Sequence, residues 1–408
     1  MSGGKLWTRN FTIITLGTVI SMLGNAVSGF AISLLVLDYT GSVFLYSLFL
    51  VIYNLPKIVA PMVSGPLLDR LSRRRAIYLL DFCSAGLYTL IFLLLLMDFF
   101  SFPLFAALAF VIGAIDGTYT TAYDSLYPTL ITPGNYEKAY SVSSMIQPLS
   151  AVMVPVAAFL YEQVGLQPLF LFNAVSFLVA AVFETQIRTD DRAGAGATRQ
   201  TMEQFRQDLR EGLEYLRGQP GLGTLTVYFT FNLFCSAVFT TIFLPYFKET
   251  PGLGVVLYTV VAGCGVVGRV VGSMIQYRLR LPGEKKTLLL ILLCGLLCVT
   301  DGTFLFLPLW GMMLFQLVSG LLNAGIYNIR VSGTQSYLPD QQRGRFNGTF
   351  LTMNTLGSIL GQLMTGALAD LLNGRMVVAG AMVLNLAGVF LLLVRRREKV
   401  EQVLNRDV

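Results

Sequence analysis

Apolar residues arrive along this chain in long blocks separated by short polar gaps, from Phe11 to Val394. The blocks fall at 11–37, 43–68, 76–98, 102–126, 139–162, 168–187, 220–247, 253–278, 286–306, 308–330, 347–370 and 376–394. Each holds about 20 residues, the length that crosses roughly 30 Å of hydrocarbon as a helix. The pattern predicts an all-α integral membrane protein of twelve transmembrane helices.

Composition agrees: 54% of the residues are hydrophobic and 13% charged, against about a quarter charged in soluble domains. The net charge of +6 would suggest nucleic acid until the basic residues are located. They flank the apolar blocks, which is membrane topology, so no nucleic-acid partner is expected. With the N-terminus inside, 24 of the 29 Lys and Arg are cytoplasmic and only Lys248 and Arg375 lie outside. That bias predicts cytoplasmic termini. Lys5 and Arg9 precede a full-length first span, which is expected to insert and stay. The chain has no histidine, so proton chemistry must run through carboxylates. Cys83, Cys235, Cys264, Cys294 and Cys298 fall inside apolar blocks without metal-ligand spacing, and neither a metal nor a cofactor is expected.

One long polar interruption, 188–219, divides the chain into a six-helix bundle at 1–187 and a second at 220–408 that ends in a short tail. Within the interruption Met202, Phe205, Leu209, Leu213 and Leu216 recur at helical spacing, opposite Arg206, Asp208, Arg210 and Glu211. They predict an amphipathic helix on the cytoplasmic interface. The halves resemble each other at an offset of roughly 206–209 residues. Pro133 answers Pro339, and Glu162 and Gly165 answer Asp370 and Gly374. Two pseudo-repeats of this kind place a solute site near the midplane between them.

Span 2 ends in Gly65-Pro66-Leu67-Leu68-Asp69-Arg70-Leu71-Ser72-Arg73-Arg74-Arg75. Gly65 admits a neighbouring helix, Asp69 sits at the membrane edge and a cationic turn follows. A plain stop-transfer run explains the arginines but not the glycine and aspartate. This segment resembles the Gly-x-x-x-Asp-Arg-x-Gly-Arg-Arg loop of the major facilitator superfamily, with Ser72 in place of a glycine. The resemblance implies a cytoplasmic gate in which Asp69 faces the helix beginning near Asn347 and Arg73 pairs with Asp124. Arg70 belongs to the same cluster, and Arg330 holds the matching place in the second half. Asp208–Leu216, together with Leu37–Ser42, looks like the bacterial branch that includes macrolide exporters and the enterobactin exporter. That branch implies proton-coupled antiport of a bulky amphipathic solute (a drug, macrolide or siderophore) out through a bacterial inner membrane, by a monomer embedded in lipid. Span 5 departs from the exporter pattern: Gln147–Pro155 holds two prolines and no glycine. Uptake or exchange of an organic anion or lipid-like metabolite is the alternative. A scaffold or receptor ranks behind both.

An enzyme would need a convergent catalytic set, and an ATP-driven pump a Gly-x-x-x-x-Gly-Lys-Ser/Thr loop; the sequence has neither. Counted from the cytoplasmic ends, Lys57, Asp116 and Arg269 lie roughly 14–17 Å deep. A charge there costs at least about 2.5–3.5 kcal/mol on insertion scales, so each needs a partner or water. Asp116 is the candidate coupling carboxylate, Lys57 its counter-ion and Arg269 the contact for a substrate's anionic group. A fixed Lys57–Asp116 ion pair, with a buried Arg269 bonded to carbonyls, is the structural alternative. Amides within the spans (Asn25, Asn54, Gln147, Asn173, Asn232, Gln316, Asn323 and Asn328) are candidates to line the cavity or to bond across helices. Phe30, Tyr119, Met145 and Phe231 could form an adaptable apolar wall.

Overall fold

The computed structural model describes residues 5–70, 72–132, 135–136, 138–140, 142–143, 146, 153–188, 202–278, 283–369 and 371–405. Of 58, 61–70, 73, 202–205, 208, 277–278, 283 and 340–341 it describes the backbone alone. The chain forms two compact units, Met1–Phe205 and Arg206–Val408.

In the first unit the helices are α1 (Arg9–Thr40), α2 (Val43–Arg70), α3 (Arg73–Leu96), α4 (Phe102–Leu126), α5 (Met153–Val164) and α6 (Gln167–Glu184). In the second they are α8 (Pro220–Glu249), α9 (Val255–Arg278), α10 (Lys286–Thr303), α11 (Leu309–Tyr337), α12 (Asp340–Ala369), α13 (Gly374–Gly388) and α14 (Arg397–Leu404). α7 (Met202–Gly218) precedes them, and a π-helical turn, Val389–Val394, prolongs α13. Local chemistry sets several ends. The Thr8 hydroxyl accepts from Phe11 N–H and the Ser72 hydroxyl from Arg75 N–H, each satisfying a donor that a helix start leaves open. Gly41, at φ 62°, stops α1 in the left-handed conformation and returns its N–H to the Leu37 carbonyl.

Among the described residues nine helices are long and apolar enough to cross a membrane, and Val43–Lys57 and Met153–Val164 are shorter apolar stretches. α12 falls below that measure because Asn347, Thr349, Thr352, Asn354, Thr355, Ser358, Gln362 and Thr365 interrupt its apolar residues. α11 continues past Arg330 to Tyr337, seven residues beyond the apolar block. On α10 the buried side carries Leu290, Cys294, Leu297 and Cys298, while the opposite side exposes Leu292, Leu296 and Val299. A helix apolar on both sides is built for a lipid surround rather than for water.

The two units repeat one packing plan. α2 packs on α4 as α9 does on α11; α6 packs on α1 and α3 as α13 does on α8 and α10; α5 packs on α1 as α12 does on α8. The apolar core of the first includes Phe11, Ile14, Ile77, Leu126 and Tyr127. The second holds one cluster around Leu222, Tyr228 and Leu290 and another around Phe239, Phe243 and Phe304. α7 docks on the start of α12, where Glu211 Oε2 meets Arg345 Nη1 at 3.0 Å. A Cβ on Gly212 would fall 2.0 Å from the Thr349 hydroxyl oxygen, so the amphipathic helix needs a glycine there.

Candidate functional site

Two glycines one turn apart, Gly113 and Gly117, face α2 from α4. A Cβ on the first would fall 2.0 Å from the Tyr53 carbonyl oxygen, and one on the second 2.4 Å from that of Lys57. Bare backbone therefore meets bare backbone, the close approach that small residues allow between membrane helices. Asp116 lies between these glycines and is held against the same stretch of α2. Its Oδ2 accepts the Tyr53 hydroxyl at 2.7 Å and lies 3.6 Å from Lys57 Nζ. Lys57 Nζ also lies 5.7 Å from the centre of the Tyr53 ring. The aspartate side chain is 14% exposed and the lysine 46%, so the cation reaches outward and the anion stays in. One carboxylate oxygen with two donors, one of them partly open, is a site that can take up or release a proton without losing both partners.

The second unit carries the same seam with different chemistry. A Cβ on Gly320 of α11 would fall 2.1 Å from the Gly265 carbonyl oxygen of α9, and one on Gly268 2.0 Å from that of Leu317. Gly320 thus corresponds to Gly113 and Gly265 to Tyr53. Four residues on, Arg269 stands where Lys57 does; three residues on, Asn323 stands where Asp116 does. Asn323 donates to the Ser319 carbonyl at 3.0 Å. Arg269 is exposed and pairs with no acid among the described residues. The first half holds a compensated charge and the second a bare cation.

The remaining polar candidates divide. Asn54 donates to the Leu50 carbonyl at 2.9 Å, one turn back on its own helix. Asn328 donates across to Gln276 Oε1 at 2.5 Å, tying α11 to α9, and the buried Asn173 ties α6 to α1 through Ser28 at 2.6 Å. These are helix-to-helix or local bonds. Asn25 is half-buried on α1 and Asn232 buried on α8. Gln147 and Met145 lie outside the described residues. For the gate, Gly65, Asp69, Arg70 and Arg73 are placed on the end of α2 and the start of α3, but their side chains lie outside the described residues. Asp124 is exposed near the end of α4. Arg330 sits over three rings, 5.5 Å from the centre of Phe229, 5.2 Å from Tyr327 and 4.6 Å from Phe350. An aromatic cage surrounds it, and three helices contribute to the cage.

The charges deepest by sequence count are not the most buried. Asp81 on α3, Glu184 ending α6 and Asp301 on α10 are all buried. Sequence counting passed over them because Asp81 and Glu184 lie near the ends of their blocks, where charges are cheap. No spacing rule relates two residues on helices three apart. Tyr119, expected as apolar wall, instead gives its hydroxyl to Glu184. The glycine seam did leave a signal, the Gly-x-x-x-Gly spacing at 113–117.

Apolar helices in two similarly packed halves, with ionisable side chains set inside them, define a polytopic membrane transporter. A family model described as Major Facilitator Superfamily matches residues 14–300 and 283–407, and the chain belongs to that superfamily. The chain is 22% identical to Macrolide efflux protein A of Streptococcus pyogenes over 400 residues, 92% of this chain and 95% of that one. It is 26% identical to the uncharacterized MFS-type transporter YkuC of Bacillus subtilis (strain 168) over 287 residues, 67% of this chain and 66% of the relative. Among solved structures, the nucleoside transporter NupG aligns over 94% of this chain and 98% of its own, at 13% identity and TM-score 0.69. A bacterial homologue of the iron transporter ferroportin aligns over 97% and 100%, at 17% identity and TM-score 0.65. At such identities the structural likeness is one of fold.

Proposed function

We propose that this transporter is a proton-coupled exporter of a bulky amphipathic small molecule, with Asp116 as the coupling carboxylate. The observation that carries the reading is the Tyr53–Asp116–Lys57 cluster. A carboxylate inside a membrane helix, held by one hydroxyl and one partly exposed cation, changes its charge when it takes a proton and frees Lys57 as it does so. Arg269, exposed and paired with no acid among the described residues, is the group that meets an anionic part of the solute. The likeness to Macrolide efflux protein A over nearly the whole chain supports export of a bulky amphipathic compound. The organisation proposed is a bundle at 1–187, a cytoplasmic linker at 188–219 and a bundle at 220–408. Gly65, Asp69, Arg70, Arg73, Asp124 and Arg330 form the cytoplasmic gate, and the protein is a monomer in a bacterial inner membrane. The exposed Arg269 also favours a second reading, uptake or exchange of an organic anion.

The experiment is flux in proteoliposomes, first screening macrolides, siderophores and organic anions, then comparing Asp116→Asn with the parent. Gradient-driven flux should fall by roughly tenfold or more while exchange without a gradient stays within about twofold. Normal flux with intact pH dependence in the variant removes Asp116 from the coupling step. Preference for small anions over macrolides favours the second reading.

A further inference from the structure

A second carboxyl site lies within the first unit, and it shares no residue with the Tyr53–Asp116–Lys57 cluster. Asp81 is 1% exposed and Glu184 0%, on α3 and α6, which pack together, and the two carboxyl groups act on each other. The Tyr119 hydroxyl donates to Glu184 Oε1 at 3.2 Å. Gly17 of α1 opens the space, for a Cβ there would fall 3.1 Å from the same oxygen. Asp81 Oδ1, Asp81 Oδ2 and Glu184 Oε2 are all buried and have no donor among the described residues.

Among the described residues no counter-charge pairs with either acid. α1 contributes Gly17 and, nearby, Thr18, both neutral; α4 contributes Tyr119 and Tyr123, with Asp116 acting on Asp81 at longer range. Arg74, at the foot of α3, gives its guanidinium to the Thr185 carbonyl. No lysine or arginine pairs with either acid among the described residues. Two adjacent buried carboxylates without a cation repel each other and forgo the solvation that both charges need. One proton between them removes the repulsion and supplies the missing donor.

A stack of tyrosines leads away from Glu184. Tyr119, Tyr123 and Tyr127 stack in turn, with ring centres 6.3 and 5.1 Å apart, and Tyr140 follows at 5.7 Å. The Tyr123 hydroxyl is buried without a hydrogen-bond partner among the described residues, and the Tyr127 hydroxyl donates to the Ala139 carbonyl at 2.7 Å, so Tyr119 alone reaches the acid pair.

We propose that Asp81 and Glu184 form a proton-binding site holding one shared proton, with the Tyr119 hydroxyl as its hydrogen-bond donor. With Asp116 it gives the first half two separate protonation centres.

Infrared spectra of the full-length protein in nanodiscs test this, because a protonated carboxyl has its own C=O stretch. The parent should show that stretch at neutral pH. Subtracting the spectrum of Asp81→Asn or Glu184→Gln should isolate it, while subtracting that of Asp116→Asn should leave it in place. Tyr119→Phe should shift its frequency. A parent spectrum without a protonated carboxyl at neutral pH overturns the proposal, and that measurement needs no variant to fold. Survival of the full band in both acid variants overturns it as well. A sodium-dependent rise in Tm that both acid variants abolish would make the site a cation site and likewise overturn it. Because the Asp116→Asn arm is read separately, failure here leaves the coupling role of Asp116 untouched, and the reverse holds too.

Discussion

Asp116 and Asn323 each stand three residues after a glycine that touches a carbonyl of the neighbouring helix, Gly113 against Tyr53 and Gly320 against Gly265. The two half-sites differ at that place by a carboxylate against an amide. The difference determines what becomes of the cation four residues past each carbonyl: Lys57 is compensated and Arg269 is not.

Restoring the acid should therefore neutralise the second site. Asn323→Asp gives Arg269 an ion-pair partner, and binding of organic anions should weaken in the same direction as in Arg269→Ala. Thermal shift of the purified protein against a series of anions measures this. Unchanged anion binding in both variants would free Arg269 from any solute role.

Gly113 should tolerate no larger side chain. With a carbonyl 2.0 Å from the position of its Cβ, Gly113→Leu must push α4 from α2, a loss in the range of overpacked cores, about 1–3 kcal/mol or more. Gly86 has nothing within 4 Å of its Cβ, so Gly86→Leu should be neutral or slightly stabilising. Tm values of the two variants in detergent decide the matter, and equal losses would contradict the seam.

Arg330 should matter to stability through its rings. Cation–π contacts contribute about 0.5–2 kcal/mol as they are desolvated. Arg330→Gln should lower Tm, and Phe350→Leu in the same background should then cost less than it does alone. A double-mutant cycle on Tm reads the coupling, and additive losses would show that the cage contributes packing alone.

The charge bias predicts which side the ends face. Ser2→Cys and Thr198→Cys should resist a membrane-impermeant maleimide added to intact cells and react after permeabilisation, against the parent's five cysteines as background. Labelling of intact cells at either position would reverse the orientation.

Much of this was legible in the pattern of apolar blocks, because lipid imposes one length and one backbone solution on every span. Depth counting brought Lys57 and Asp116 to one level, since a helix rises by a fixed step per residue. Depth alone says nothing of azimuth. It could not show that Asp81 and Glu184, 103 residues apart in the chain, turn toward each other. It could not show either that Phe229, Tyr327 and Phe350 gather around Arg330. The polar residues of α12 left a composition in which length and apolarity part company, so span counting by hydropathy is weakest there.

The glycine seam between α2 and α4 has a mechanical consequence. Two helices that touch backbone to backbone cannot slide past each other without driving a carbonyl into a Cα, so the pair behaves as one stiff bar. The backbones that carry Tyr53, Lys57 and Asp116 are fastened to that bar and keep their spacing, while the long, partly exposed Lys57 side chain can still swing away. What varies at this place when Asp116 takes a proton is then the reach of one side chain, on a frame of constant width.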